Sequence, residues 1–161
     1  LVENQPRRGA FVVGMTERDV HEIYGLRIVL ETFAIELAAL RSSGEGVARL
    51  RLHIEEMREG LAQRRHHAIA EHDMAFHRQL IDMADHRRLL AVWTPVAVPV
   101  HALLSVADTV YTDMPSAIDQ HGLLVDAIER RDPEHASSLL REHLLSGERI
   151  VLHVVRGARA G

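Results

Sequence analysis

Four side chains of metal-ligand type fall where a helical chain buries its apolar residues. In the stretch from Ala68 to Leu80, Asp73 and His77 stand four residues apart, within the stripe formed by Ile69, Phe76, Leu80 and Met83. His121 repeats the placement among Ala117, Ile118, Leu124, Val125 and Ile128, and His143 repeats it among Leu139, Leu140, Ser146, Gly147 and Ile150. A carboxylate or imidazole in an apolar interior must be neutralised, paired or bound to a metal. Three nitrogens and one carboxylate suit zinc or another divalent first-row ion, nickel and manganese included, and leave coordination positions open. The alternative for each residue is a core side chain hydrogen-bonded to its neighbours. Recurrence on three helices favours the metal.

A site drawn from three helices needs a bundle to assemble it. The spacing predicts an all-α chain of about six antiparallel helices around a central cavity, preceded by a short β-hairpin. Thr16 is an N-cap with Asp19 three residues on, opening a first helix to about Arg41, which Gly44 and Gly46 close. Further helices are expected from about Glu45 to Gln63, His66 to Met83 and His86 to Val110, the last kinked or broken at Pro95 and Pro99. Pro115 should start the fifth. Asp132-Pro133 reads as an N-cap followed by proline at the first helical position, beginning a helix to about Val155 with a frayed tail behind it. Residues 1–13 differ: two short β-type runs around a polar turn, too little to be stable alone, so they read as the end of something larger. The division is thus 1–13 and 14–161.

Composition supports this. With 47% hydrophobic but only 4% aromatic residues, and few Gly and Pro within the periodic segments, the chain has a helical composition and suffices for one core. There is no cysteine, so any metal must be held by nitrogen and oxygen. A net charge of −4 argues against this segment as a freestanding nucleic-acid binder. No apolar run is expected to span a membrane and no leader opens the chain, which reads as cytoplasmic. Twelve histidines exceed any one site, so position must sort them. His66 and His67 in a turn and His135 in a first helical turn read as solvated; His21, His53 and His153 sit at mixed positions.

The pattern Arg8-Gly-Ala-Phe-Val12, then Tyr24-Gly-Leu-Arg-Ile-Val-Leu-Glu31 and Ala38-Ala39, Asp73-x-x-x-His77-x-x-Leu80, His121 before Ala127-Ile128, and His143-Leu144 resembles the effector-binding domain of GntR-family transcription regulators, FadR subfamily. The resemblance covers nearly the whole chain. It implies that Asp73, His77, His121 and His143 bind a divalent metal. It also implies that the hairpin is the wing of a preceding winged-helix domain, of which Arg7 and Arg8 would be DNA-contacting remnants. Two departures stand out. Many relatives carry Gly-Asn where this chain has Asp85-His86, and the fourth helix lacks the arginines often found there.

Arg27 falls on the stripe of Val20, Ile23, Tyr24, Leu30, Ala34 and Leu37, and a guanidinium facing a core wants an anion. Either it holds an organic-acid effector together with the metal, as the resemblance also implies, or it pairs internally with Glu31 or Asp126. Tyr24 could reach the effector through its hydroxyl, or be ordinary core. His101, with Ala97, Val98, Leu104 and Ser105, could line the pocket. The function expected is a dimeric, metal-dependent sensor of a small carboxylate, acting on operator DNA through a separate N-terminal domain. The competing readings are a metal-dependent enzyme with His101 or His72 as base, and a helical module without metal; Glu71 should face away from the site.

Overall fold

The computed structural model describes residues 2–5, 9–12, 15–107 and 114–159. Two antiparallel strands, β1 (Val2–Gln5) and β2 (Gly9–Val12), pair Val2 with Val12 and Gln5 with Gly9. Six helices follow: α1 (Glu17–Leu40), α2 (Gly44–Ala62), α3 (His66–Met83), α4 (Arg87–Ala107), α5 (Met114–Glu129) and α6 (Pro133–Arg159). Arg7 and Arg8 lie outside the described residues, as does the expected end of α4 near Val110.

Helix α1 is the hub, packing on α3, α4, α5 and α6. Its start is fixed by a reciprocal cap. The Asp19 N–H donates to Thr16 Oγ1 at 3.1 Å and the Thr16 N–H donates to Asp19 Oδ2 at 2.7 Å. Being surrounded, α1 buries Val20, Tyr24, Ile28, Ala34, Ile35, Ala38 and Ala39, and also the charged Arg27 and Glu31. One apolar cluster joins α2, α3, α5 and the first half of α6 to α1 through Leu50, Phe76, Leu124 and Leu140. A second joins α1 to α4 and the second half of α6 through Tyr24, Trp93, Leu103 and Val151. Each fully buried side chain of this size contributes about 1.5–3 kcal/mol.

Three interhelical turns are tight. Arg64, Asp85 and Arg131 adopt left-handed backbones with φ of 54°, 46° and 55°. At the end of α2 the Arg65 N–H reaches the Gly60 carbonyl (2.8 Å) and the Arg64 N–H reaches the Leu61 carbonyl (3.1 Å), which closes the helix and leaves its next residue at positive φ. Asp85 stands where relatives were noted to carry glycine, and aspartate tolerates this conformation better than most residues.

Three expectations need correction. Helix α4 runs unbroken through Pro95 and Pro99. The carbonyls that lose their donors belong to Ala91 and Pro95, both exposed residues, where water can satisfy them. Helix α6 continues to Arg159 rather than fraying after Val155, and the Arg156 guanidinium pairs with Glu17 Oε2 on α1 at 2.8 Å. Residues Arg87–Ser105 of α4 do reach the length and apolar content of a membrane span, although only 28% of that stretch is buried within the fold.

Candidate metal centre

Helices α3, α5 and α6 bring Asp73, His77, His121 and His143 together, each offering a ligand atom within 4.8 Å of the others. His77 and His121 are buried, while Asp73 and His143 are partly so. Nε2 of His121 lies 3.2 Å from Asp73 Oδ1, and Nε2 of His77 lies 3.9 Å from Asp73 Oδ2. Nε2 of His143 is 3.3 Å from Nε2 of His77.

The far side of each ring explains why all three present Nε2. His121 Nδ1 donates to the Ala117 carbonyl one turn back, at 3.0 Å. His143 Nδ1 faces Gln120 Oε1 at 3.1 Å, and His77 Nδ1 lies 2.6 Å from Glu31 Oε2. His121 and His143 turn Nδ1 to hydrogen-bond acceptors, Nδ1 of His77 stands beside the Glu31 carboxylate without an aligned hydrogen bond, and the three Nε2 atoms converge on one another and on a carboxylate. Two imidazole lone pairs at 3.3 Å repel unless a cation lies between them, and the buried Nε2 of His121 has no hydrogen-bond partner. The donor set and its outer shell therefore fit a divalent ion.

Electrostatics agree. Burial by itself would raise the Asp73 carboxyl, but the neighbouring imidazoles, His121 at 3.2 Å first and then His77 and His143, outweigh it and hold the group below the usual carboxylate range. Burial, reinforced by His121 and His77, pushes His143 well below an ordinary imidazole, so it stays neutral and able to ligate.

Residues 22–146 match the FCD domain model. The chain belongs to the FCD domain family. This FCD domain is 29% identical over 131 residues to the gluconate operon transcriptional repressor of Bacillus licheniformis, covering 78% of this chain and 54% of that protein. The chain thus spans about half the length of the curated relatives it matches first. In fold it is similar to E. coli McbR/YncC (TM-score 0.79, 18% identity, 94% of this chain and 77% of that one). It is also similar to a GntR-family transcriptional regulator from Pseudomonas syringae pv. tomato str. DC3000 (TM-score 0.77, 21% identity, 98% of this chain and 66% of that one). The relative matched in sequence is named a transcriptional repressor and not an enzyme, and the enzyme reading with His101 or His72 as base is set aside.

Beside the four ligands the FCD domain encloses a cavity of about 50 Å³, room for a few water molecules, lined by Tyr24, Arg27, Gln120 and Ser146 and by apolar residues including Met57, Ile118 and Leu144. The Tyr24 hydroxyl is buried there without a hydrogen bond. Arg27 lines the cavity, but its Nε donates to Glu31 Oε1 at 2.7 Å: of the two readings of this guanidinium, the internal pair with Glu31 is formed. Asp126, the other candidate partner, sits at the surface with Arg51. His101 is not among the lining residues and stacks on His67, ring centroids 6.0 Å apart. His66 is less solvated than its turn position suggested, since its Nδ1 is buried, whereas His67, Glu71 and His135 are exposed or nearly so.

Sequence reasoning missed Glu31 and Gln120 as supports of the ligand rings. Glu31 accepts from Arg27 Nε and from the Trp93 indole N–H (2.9 Å), and stands against His77. Burial opposes its charge, yet Arg27 and His77 prevail and keep it ionised. The available signal was a second acid four residues after Arg27 on the same buried stripe. The stripe alone does not say which helix faces it.

Proposed function

We propose that this FCD domain is the effector-sensing part of a transcription regulator of the FadR kind, in which Asp73, His77, His121 and His143 hold a divalent ion and a small organic acid binds at it. One observation carries the reading: three imidazoles, two buried and one partly so, each with Nδ1 beside an oxygen of its own, turn Nε2 toward one carboxylate. Zinc suits that donor set first, with nickel or manganese as alternatives. The ion would supply a Lewis-acidic point with open positions for a carboxylate. Tyr24, whose hydroxyl lacks a partner, and Arg27 face the same cavity and would orient the acid. His101 stays a candidate beside them, with its ring stacked on His67.

The hairpin β1–β2 fits the wing of a winged-helix domain upstream, with Arg7 and Arg8 between its two strands in sequence, and operator DNA would be bound by that domain. Two copies would pair to match a two-fold operator in the cytoplasm. The effector would change DNA affinity only so far as it binds one arrangement of the pair better than the other. A relative named for a gluconate operon makes hydroxy-acids the first effectors to try. The test is a calorimetric titration of metal-loaded and chelator-stripped protein with a panel of small carboxylates. Binding confined to the loaded protein is expected; equal binding to both would remove the metal from the effector site.

A further inference from the structure

Helices α2 and α3 lie antiparallel and close. Gly46 near the start of α2 stands against Met83 at the end of α3, and Gly60 near the end of α2 stands against Ile69 near the start of α3. The missing Cβ lets the helices approach at both points, since one at Gly46 would come within 3.0 Å of Met83 and one at Gly60 within 3.2 Å of Ile69. Between these two contacts, on the partly exposed side of the seam, His53 of α2 meets His72 of α3. Their Nδ1 atoms are 3.4 Å apart, with ring centroids 5.7 Å apart and ring planes tilted by 37°. Glu56 follows His53 by three residues on the same face of α2, and its Oε2 lies 3.8 Å from the other nitrogen of His72, Nε2. Although His72 directly precedes Asp73, its ring meets α2.

We infer that His53 and His72 form a second divalent-metal site, with Nδ1 of each ring as a ligand and Glu56 as the outer partner of His72. The separation of the nitrogens is the first argument. Two imidazole nitrogens about 2.0–2.1 Å from one ion, at the tetrahedral angle, stand about 3.3–3.4 Å apart. The 3.4 Å between His53 and His72 fits that edge, as does the 3.3 Å between Nε2 of His77 and Nε2 of His143 in the core. Glu56 is the second argument. A carboxylate beside Nε2 favours the tautomer protonated there, which leaves the Nδ1 lone pair of His72 turned toward His53. Access is the third. The His72 side chain is 27% exposed and that of Glu56 39%, so an ion can enter from solvent and water can complete its coordination. Two imidazoles suit zinc, nickel or copper, whereas magnesium and calcium take oxygen ligands.

The competing reading is a hydrogen bond between two neutral rings, one Nδ1 donating to the other. At 3.4 Å that bond is long, and rings at a partly exposed seam have water as an alternative partner. The pair His67 and His101 offers no comparable site, because it stacks with its planes at 28° and places ring against ring instead of nitrogen against nitrogen. With two protein ligands against four in the core, the second site holds its ion more weakly. It fills in the micromolar range and empties on dialysis, which makes its ion exchangeable. The site consists of His53, His72 and Glu56 alone and stands whether or not the core centre holds an ion.

The test is a calorimetric zinc titration of the dialysed chain, followed in parallel by long-range proton–nitrogen NMR of the imidazole rings, for the native chain, His53→Gln, Glu56→Gln and the control His67→Gln. Far-UV circular dichroism verifies folding, and elemental analysis counts the tightly held ion separately, so a failure of the core centre and a failure of this site are read apart. One exchangeable zinc per native chain is expected, moving the Nδ1 signals of His53 and His72 together. His53→Gln removes a ligand and should weaken that zinc by at least about a hundredfold, and Glu56→Gln, which removes an outer partner, by about tenfold. His67→Gln should leave it unchanged. An exchangeable zinc that survives His53→Gln would place the ion elsewhere and overturn the inference. No exchangeable zinc in the native chain, with the His53 and His72 signals unmoved, would leave a hydrogen bond between the two rings and overturn it as well.

Discussion

Nδ1 of His77 stands 2.6 Å from Oε2 of Glu31, both side chains buried and on different helices. Glu31 also receives Arg27 and the Trp93 indole, so one carboxylate ties α1, α3 and α4 together behind a candidate ligand. Glu31→Gln keeps the shape but removes the charge that balances Arg27 and orients His77. Metal affinity should fall 10–100-fold in a competitive chelator titration, as for other outer-shell partners. The metal-free chain should lose about 3–5 kcal/mol, because a buried guanidinium is left uncompensated. Unchanged affinity would make Glu31 a structural ion pair only.

Tyr24→Phe separates stability from recognition. The hydroxyl is buried and makes no hydrogen bond, though the Arg27 guanidinium lies 5.3 Å above the ring. Removing it should leave the unfolding free energy of the effector-free protein level or raise it, by up to about 1–3 kcal/mol, since an unsatisfied polar group is deleted. Carboxylate affinity should fall at the same time. A variant that is both destabilised and equally tight for effector would contradict the role given to the hydroxyl.

His53, on α2 outside the ligand cluster, should show an acid-side response. Partial burial, with His72 facing it at 3.4 Å, pushes its imidazole below the ordinary value, and Glu56 opposes this only in part. A histidine with a depressed folded value is protonated more readily in the unfolded chain. Its share of stability is therefore present above pH 6.5 and is lost as pH falls toward the depressed value. His72→Ala should move the His53 titration upward by NMR. A midpoint unmoved, or moved down, would leave burial as the whole cause.

Arg64→Gly should stabilise. Arg64 is exposed and its backbone has φ of 54°, a conformation that costs a side-chain-bearing residue about 1 kcal/mol and glycine nothing. The gain in chemical denaturation should be up to about 1 kcal/mol. Arg131→Gly shares the geometry but should gain less, because the Arg131 guanidinium donates to the carbonyls of Leu40 and Ser42. Equal gains from both would mean those two bonds contribute nothing.

Much of this was legible as period and spacing. Thr16 and Asp19 announced the start of α1, and the placement of Asp73, His77, His121 and His143 on apolar stripes anticipated their convergence. What periodicity cannot give is which stripe faces which. It left Arg27 divided between an effector and Glu31, and it could not reveal that Glu31 meets His77. His101 satisfied the same stripe criterion as the ligands, yet its part of α4 meets the start of α3 at His67 instead of the cavity. Of the kink or break expected at Pro95 and Pro99 the break does not occur, because the freed carbonyls are exposed to water, and exposure is a tertiary property.

The most direct test is the metal content of purified protein by elemental analysis, with thermal melts before and after chelation, for the native chain, His121→Ala, Asp73→Ala and His67→Ala. About one divalent ion per native chain is expected, with a melting temperature that falls on its removal and recovers on adding zinc, nickel or manganese. His121→Ala and Asp73→Ala should lose the ion and the shift, while His67→Ala keeps both. Stoichiometric metal retained in His121→Ala and Asp73→Ala, or no metal and no shift in the native chain, would contradict the assignment of this site.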